Sequence, residues 1–201
     1  KKLLLSYNEL TRLPDHIGNL KTLEQLTLYQ NKLEKLPSSF YELNQLQDLD
    51  LYYNRLAYVS DSIANLTKLE ILYLSFNNLS SVPASISRLV NLRELYLHHN
   101  KLSYLPEEIA ALANLRIMRI NANSFVSFPH PLLSLRLLET LDVSQNQLRA
   151  LPAQLETLDS LQVLSIAQNP WETQEEVDQL VEVLKEKGVM VHTALISKVE
   201  N

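Results

Sequence analysis

The sequence predicts an α/β solenoid, in which short parallel strands and tight helical returns stack at a fixed period. Three observations carry this expectation. Asparagine falls at Asn8, Asn31, Asn54, Asn77, Asn100, Asn123, Asn146 and Asn169, each 23 residues after the last. An apolar residue stands three before each (Leu5, Leu28, Leu51, Leu74, Leu97, Ile120, Val143, Ile166) and another five before (Leu3 through Leu95, then Met118, Leu141, Leu164). A further apolar residue stands two after, from Leu10 through Leu102 to Phe125, Leu148 and Trp171. A constant period of this length fixes an architecture before any local reading is attempted.

The elements of one unit follow in order. Apolar residues two apart mean a strand with one buried face. The asparagine marks the turn where that strand stops: its side-chain amide can satisfy freed backbone groups, and stacked turns would repeat those bonds as a ladder. The second half reads Leu-Pro, an apolar residue three after the proline, and Leu three further on, as in Leu13-Pro14 to Ile17 and Leu20, or Leu105-Pro106 to Ile109 and Leu112. Three-residue spacing after proline suits a single 3₁₀ or α turn starting at that proline. Alone, such a unit cannot bury its leucines, so its stability must come from stacking.

This pattern resembles the leucine-rich repeat family, in its 23-residue class with Leu-Pro-x-x-Ile-x-x-Leu in the second half. The resemblance covers residues 1–171. It implies a right-handed horseshoe with a parallel sheet on the concave face, short 3₁₀ or α turns on the convex face, and protein recognition as the usual role. Two units depart from the pattern. Val59-Ser60 replaces Leu-Pro, which reads as a tolerated variation. The unit after Asn123 carries Phe125, Phe128, Pro129 and Pro131, and is expected to bend or loosen the convex side, because Pro131 lacks a backbone donor.

At the C-terminus the period breaks after Asn169-Pro170-Trp171, and residues 172–201 read as a cap. Thr173 and Glu176 form a capping box; Val177, Leu180, Val181 and Leu184 follow at helical spacing, and Gly188 stops the helix. Val189 and Val191 alternate like a last strand, displaced by two residues from strict periodicity. At the other end the sequence opens inside a unit at Lys1-Lys2-Leu3, leaving an uncovered strand edge that upstream residues, a partner or a second copy of the chain would cover.

Composition narrows the function classes. The net charge is −5, and residues 172–201 hold seven acidic residues against three lysines, so the repeats are nearly neutral and offer no basic face for nucleic acid. No run of roughly 18 apolar residues exists for a membrane span. Cysteine is absent, which removes disulfides, zinc clusters and thiol catalysis. That absence and the lack of a signal peptide favour the cytoplasm, an exported bacterial protein being the alternative. Gly18 and Gly188 are the only glycines, which excludes phosphate-cradling loops.

The variable strand positions are therefore where function is expected. Four residues before the asparagines they read Leu4, Thr27, Asp50, Tyr73, Tyr96, Arg119, Asp142 and Ser165; two before, Ser6, Tyr29, Tyr52, Ser75, His98, Asn121, Ser144 and Ala167; one before, Tyr7, Gln30, Tyr53, Phe76, His99, Ala122, Gln145 and Gln168. Core packing does not require the aromatic residues gathered there. Tyrosine joins a large contact area to a wet hydroxyl and, with arginine, is enriched at binding hot spots. The expected partner-binding residues are Tyr29, Asp50, Tyr52, Tyr53, Tyr73, Phe76, Tyr96, His98 and Arg119. The competing explanation is the strand propensity of tyrosine on an exposed sheet. His98 and His99 with Glu94 are too few and too diverging for a metal, and no cofactor or catalytic residue is expected. The expected function is a protein-interaction module. The alternatives are the recognition arm of a larger enzyme, as in the Roco GTPases or bacterial ubiquitin-ligase effectors with similar repeats, and a peptide- or glycan-binding module.

Overall fold

The computed structural model describes residues 1–194; residues 195–201, the end of the expected cap, lie outside them. Nine three-residue strands succeed one another: β1 Lys2–Leu4, β2 Gln25–Thr27, β3 Asp48–Asp50, β4 Ile71–Tyr73, β5 Glu94–Tyr96, β6 Ile117–Arg119, β7 Thr140–Asp142, β8 Val163–Ser165 and β9 Met190–His192. They form one parallel sheet in sequence order. From β1 to β8 each residue pairs with the one 23 positions on, as Leu26 with Leu49 and Tyr73 with Tyr96. The sheet lines the concave face of the horseshoe and the 3₁₀ returns its convex face.

The leucine columns meet between these layers. Leu26, Leu28, Leu49, Leu72, Leu95, Met118, Leu141 and Leu164 are fully buried. So is a column immediately before the strands, where Leu46, Leu69, Leu92, Leu115 and Leu138 have no exposed surface. Burying a side chain of this size contributes roughly 1.5–3 kcal/mol. Almost all of it is realised only when the next unit stacks, because each leucine faces equivalents one period away.

The returns begin one residue later than expected: Pro37, Pro83, Pro106, Pro129 and Pro152 are each the extended residue before the turn, and the shorter first turn, Ile17–Asn19, starts three residues after Pro14. Pro37 has φ −68° and ψ 156°, and its carbonyl accepts from the Phe40 N–H at 3.0 Å. In the Val59-Ser60 unit Ser60 keeps the same extended geometry and its Oγ accepts from the Ser62 N–H at 3.2 Å, so the serine supplies a cap in place of the ring. Around Pro131 the turn His130–Ser134 survives, but Pro129 before it has ψ 93° instead of the 133–156° of the other full-length turns. The convex side is altered at that unit rather than opened.

Two expectations for the cap need correction. Helix α1 spans Gln174–Glu186, but the Thr173 side chain makes no capping bond, so there is no capping box. The extended Thr173 contributes only its carbonyl, which accepts from Val177 N–H at 3.4 Å. The last strand is displaced by four residues, not two: Val191 pairs with Leu164, 27 positions earlier. The helix consumes more chain than a 3₁₀ return, and Gly188, at φ 85°, turns it back to the sheet. Val177, Val181 and Leu184 are buried against the final unit.

Candidate protein-binding face

The geometry of the face begins at the asparagines. Asn77 Nδ2 donates to the carbonyls of Leu51, Leu74 and Ser75 at 2.9–3.2 Å, and its Oδ1 accepts from Leu56 N–H at 2.9 Å. The same four bonds recur at Asn31, Asn54, Asn100, Asn123, Asn146 and Asn169. Making them requires the preceding residue to turn sharply. Tyr7, Gln30, Tyr53, Phe76, His99, Ala122, Gln145 and Gln168 all have φ between 51° and 56°. That left-handed conformation costs a side-chain-bearing residue about 1–2 kcal/mol, a cost the ladder offsets.

The turn shapes the binding surface. Along a regular strand, neighbouring side chains point to opposite faces. Here the left-handed residue swings its ring back beside the one before it: Tyr52 and Tyr53 centroids lie 5.0 Å apart, and His98 and His99 5.5 Å apart. Two columns thereby merge into one surface. Tyr29 meets Tyr52 at 5.4 Å and Tyr53 at 6.2 Å; Tyr53 stacks on Phe76 at 4.2 Å, and Phe76 on His99 at 3.9 Å. Tyr73 stacks on Tyr96 at 4.6 Å with planes 13° apart, and the Arg119 guanidinium lies 5.7 Å from the Tyr96 ring centre. Tyr96 reaches His98 at 6.4 Å, which joins the two sets.

Of the nine expected residues, eight belong to this single network. The ninth, Asp50, is a half-buried neighbour whose Oδ1 accepts from the Tyr52 N–H at 3.0 Å. Two further rings extend the network: Tyr7, edge-on to Tyr29 at 4.9 Å, and His99. Both occupy the position just before the asparagine, as the expected Tyr53 and Phe76 do, and the same recurrent turn places them on the face. Glu94 also enters, since its Oε2 accepts from the Tyr96 hydroxyl at 2.7 Å.

The electrostatics are those of half-buried groups. Burial, then His99 and Arg119, pushes the His98 imidazole down to about 4, so the ring is neutral at pH 7; its Nδ1 lies 2.7 Å from Ser75 Oγ. Burial raises the Tyr52 phenol to about 12 and pushes the Tyr96 phenol up as well, the latter helped by Glu94. The carboxyls of Asp48 and Asp50 also sit above their usual range, burial being the first cause. Among the described residues no three His, Asp or Glu side chains are grouped to hold a metal ion.

Comparison with known proteins agrees with this geometry. A family model described as leucine-rich repeat region matches residues 1–84 and 79–186. No curated protein matches. Among solved structures, a leucine-rich repeat protein of Leptospira interrogans is similar at 37% identity and TM-score 0.89, over 96% of this chain and 48% of that one. A plant peptide hormone receptor, RGFR1 in complex with RGF2, is similar at 32% identity and TM-score 0.70, over 79% and 26%. A TDR receptor is similar at 25% identity and TM-score 0.82, over 96% and 34%. The chain thus spans about half the length of the Leptospira protein and less of the receptors.

Proposed function

Because the chain belongs to the leucine-rich repeat family, we propose that it is a recognition module that binds a partner protein on the tyrosine-rich sheet face. One observation carries the reading: the rings form a continuous network outside the core, and strand propensity, which applies to Tyr73 and Tyr96, does not account for the rest of it. Tyr53, Phe76 and His99 stand in the left-handed conformation, where aromatic residues have no intrinsic preference. Their rings collect on one surface nonetheless. Tyr53 is 44% exposed, while Tyr52, Tyr73 and Tyr96 are half-buried, a rigid and partly dry surface of the kind that makes hot spots. Binding rather than catalysis fits this open sheet, because the Ser75 hydroxyl that meets His98 Nδ1 at 2.7 Å belongs to a serine with no exposed surface for a substrate to reach.

The similar plant receptor, described as in complex with RGF2, supports recognition as the use of this scaffold. Because the Leptospira protein is about twice as long, the recognition arm of a larger protein is the same proposal at another length. Among the described residues no helix is long and apolar enough to cross a membrane.

The test is capture of a partner from lysate by the parent and by a Tyr73→Ala/Tyr96→Ala variant whose circular dichroism and unfolding midpoint show an intact solenoid. Each ring stacks on the other and not on the core, so the fold should persist. At least tenfold weaker binding by the variant is expected; unchanged binding would move the interface off this face.

A further inference from the structure

Resting on that reading, we propose that the partner docks with a basic side chain, arginine in preference to lysine, held where β3, β4 and β5 bring the stacked Tyr73 and Tyr96 rings among Asp48, Asp50 and Glu94. The placement follows from register. Asp50, Tyr73 and Tyr96 are consecutive partners across the three strands, and Asp48 and Glu94 flank Ile71 in the adjoining column. Leu49, Leu72 and Leu95 between them are fully buried, so the five polar side chains share the open face.

Their electrostatics show a charge deficit at Tyr73. After burial, Glu94, Asp48 and Asp50 hold the Tyr73 phenol up and Arg119 alone opposes them, so three carboxylates act on one ring against one cation. Among the described residues none of them takes part in an ion pair, although seven ion pairs form elsewhere. What they do have is uncharged: Asp48 Oδ2 accepts from Gln25 Nε2 at 3.0 Å, Asp50 from the Tyr52 N–H, and Glu94 from the Tyr96 hydroxyl. The nearby cations are Lys2 beyond Asp48 and Arg119 beyond Tyr96, neither in ion-pair reach of these carboxylates. Three half-buried carboxylates around a stacked aromatic pair thus have no ion-pair partner among the described residues.

A guanidinium satisfies both features together. Its plane stacks on tyrosine while its N–H groups fork onto carboxylates, and it sheds water more readily than an ammonium. Arg119 already lies over Tyr96 from the β6 side, leaving the Tyr73 and Asp50 side for the incoming group. Charge complementarity therefore selects a protein segment with an exposed arginine over an acidic or wholly apolar one.

The probe is acetyl-arginine amide, with acetyl-citrulline amide as its neutral isostere, titrated at pH 7 into the ¹⁵N-labelled chain. The variant is Asp50→Asn/Glu94→Gln, which keeps both acceptor oxygens and so keeps the bonds to Tyr52 N–H and the Tyr96 hydroxyl. Saturable amide shifts confined to β3–β5 are expected with arginine, at least fivefold weaker with citrulline, and at least fivefold weaker with arginine on the variant. Equal response to the two probes, no response in the parent, or arginine binding undiminished in the variant would overturn the proposal. Once a partner is captured, the same variant separates the two readings. Loss of capture on Tyr73→Ala/Tyr96→Ala with full capture by Asp50→Asn/Glu94→Gln would leave the face as the interface and remove the basic side chain from it.

Discussion

A single asparagine amide satisfies backbone groups that no leucine of the same unit can satisfy. Asn77 satisfies three carbonyls and one N–H that lie away from water, and it is itself only 8% exposed. Leaving a buried polar group unpaired costs about 1–3 kcal/mol, so Asn77→Ala is expected to lower unfolding free energy by roughly 3 kcal/mol or more in urea titration. Asn8 is the internal control. It is exposed and, among the described residues, bonds only to the Leu5 and Ser6 carbonyls, so Asn8→Ala should cost under about 1 kcal/mol. His98 supplies a pH dependence whose sign is fixed by its environment. Its folded value, about 4, lies below its ordinary 6.5, so the unfolded chain binds the proton more tightly. Its contribution is present above pH 6.5 and is lost as pH falls toward 4. Asp48 and Asp50 act oppositely, since raised carboxyls favour the folded state on protonation. Comparing urea midpoints of the parent and His98→Asn from pH 7 to pH 4 isolates the histidine: the parent should lose more stability over that window.

Among the elements, the first convex turn shows how closely neighbouring returns approach. A Cβ added at Gly18 would meet the Ser39 carbonyl oxygen at 2.2 Å, and backbone cannot yield as a side chain can. Gly18→Ala is therefore expected to destabilise by about 1–3 kcal/mol, the usual cost of overpacking. At the other end, Leu184 is 1% exposed under the last unit, whereas the Thr173 side chain caps nothing. Thermal or urea unfolding should show Leu184→Ala costing about 2–5 kcal/mol and Thr173→Ala less than about 0.5 kcal/mol. The same elements show what was legible beforehand. The strands, the returns and the asparagine ladder were readable because every unit repeats one physical problem, and a period of 23 exposes its solution. Where repetition ends, local pattern misleads: Thr173 and Glu176 have capping-box spacing, but the Thr173 hydroxyl makes no capping bond, and the strand offset depended on how much chain α1 consumes. The binding face was legible as columns of residue types. The turn that brings Tyr53 beside Tyr52 was not, because the left-handed conformation at Tyr53, Phe76 and His99 occurs without glycine to announce it.

Across the whole molecule these bonds run only between neighbours, so the chain behaves as a row of coupled units rather than one core. The row is unevenly secured. Leu3, Leu5 and Leu10 of the first unit are only partly buried, Leu4 is 68% exposed, and Asn8 has half the ladder bonds of its successors. In the middle, Leu72, Leu95, Met118 and Leu141 have no exposed surface and both neighbours in place. In residues 1–201 taken alone, opening should therefore begin at β1 and spread toward β4–β7, and amide hydrogen exchange reads it directly. The Leu5 N–H, bonded to the Thr27 carbonyl at 2.8 Å, is expected to exchange at least tenfold faster than the Leu74 N–H, bonded to the Tyr96 carbonyl at 2.9 Å, although the two bonds are equivalent in the repeat. Bond length cannot separate them, so the difference measures coupling alone. Leu184→Ala supplies the converse, since loosening the cap should speed exchange at the Ile166 N–H, bonded to the His192 carbonyl of β9, more than at Leu74. Equal protection of Leu5 and Leu74, with Leu184→Ala accelerating every strand alike, would mean that the solenoid opens as one unit, and the binding face would then gain its rigidity from the whole row rather than from the neighbours of β3–β5.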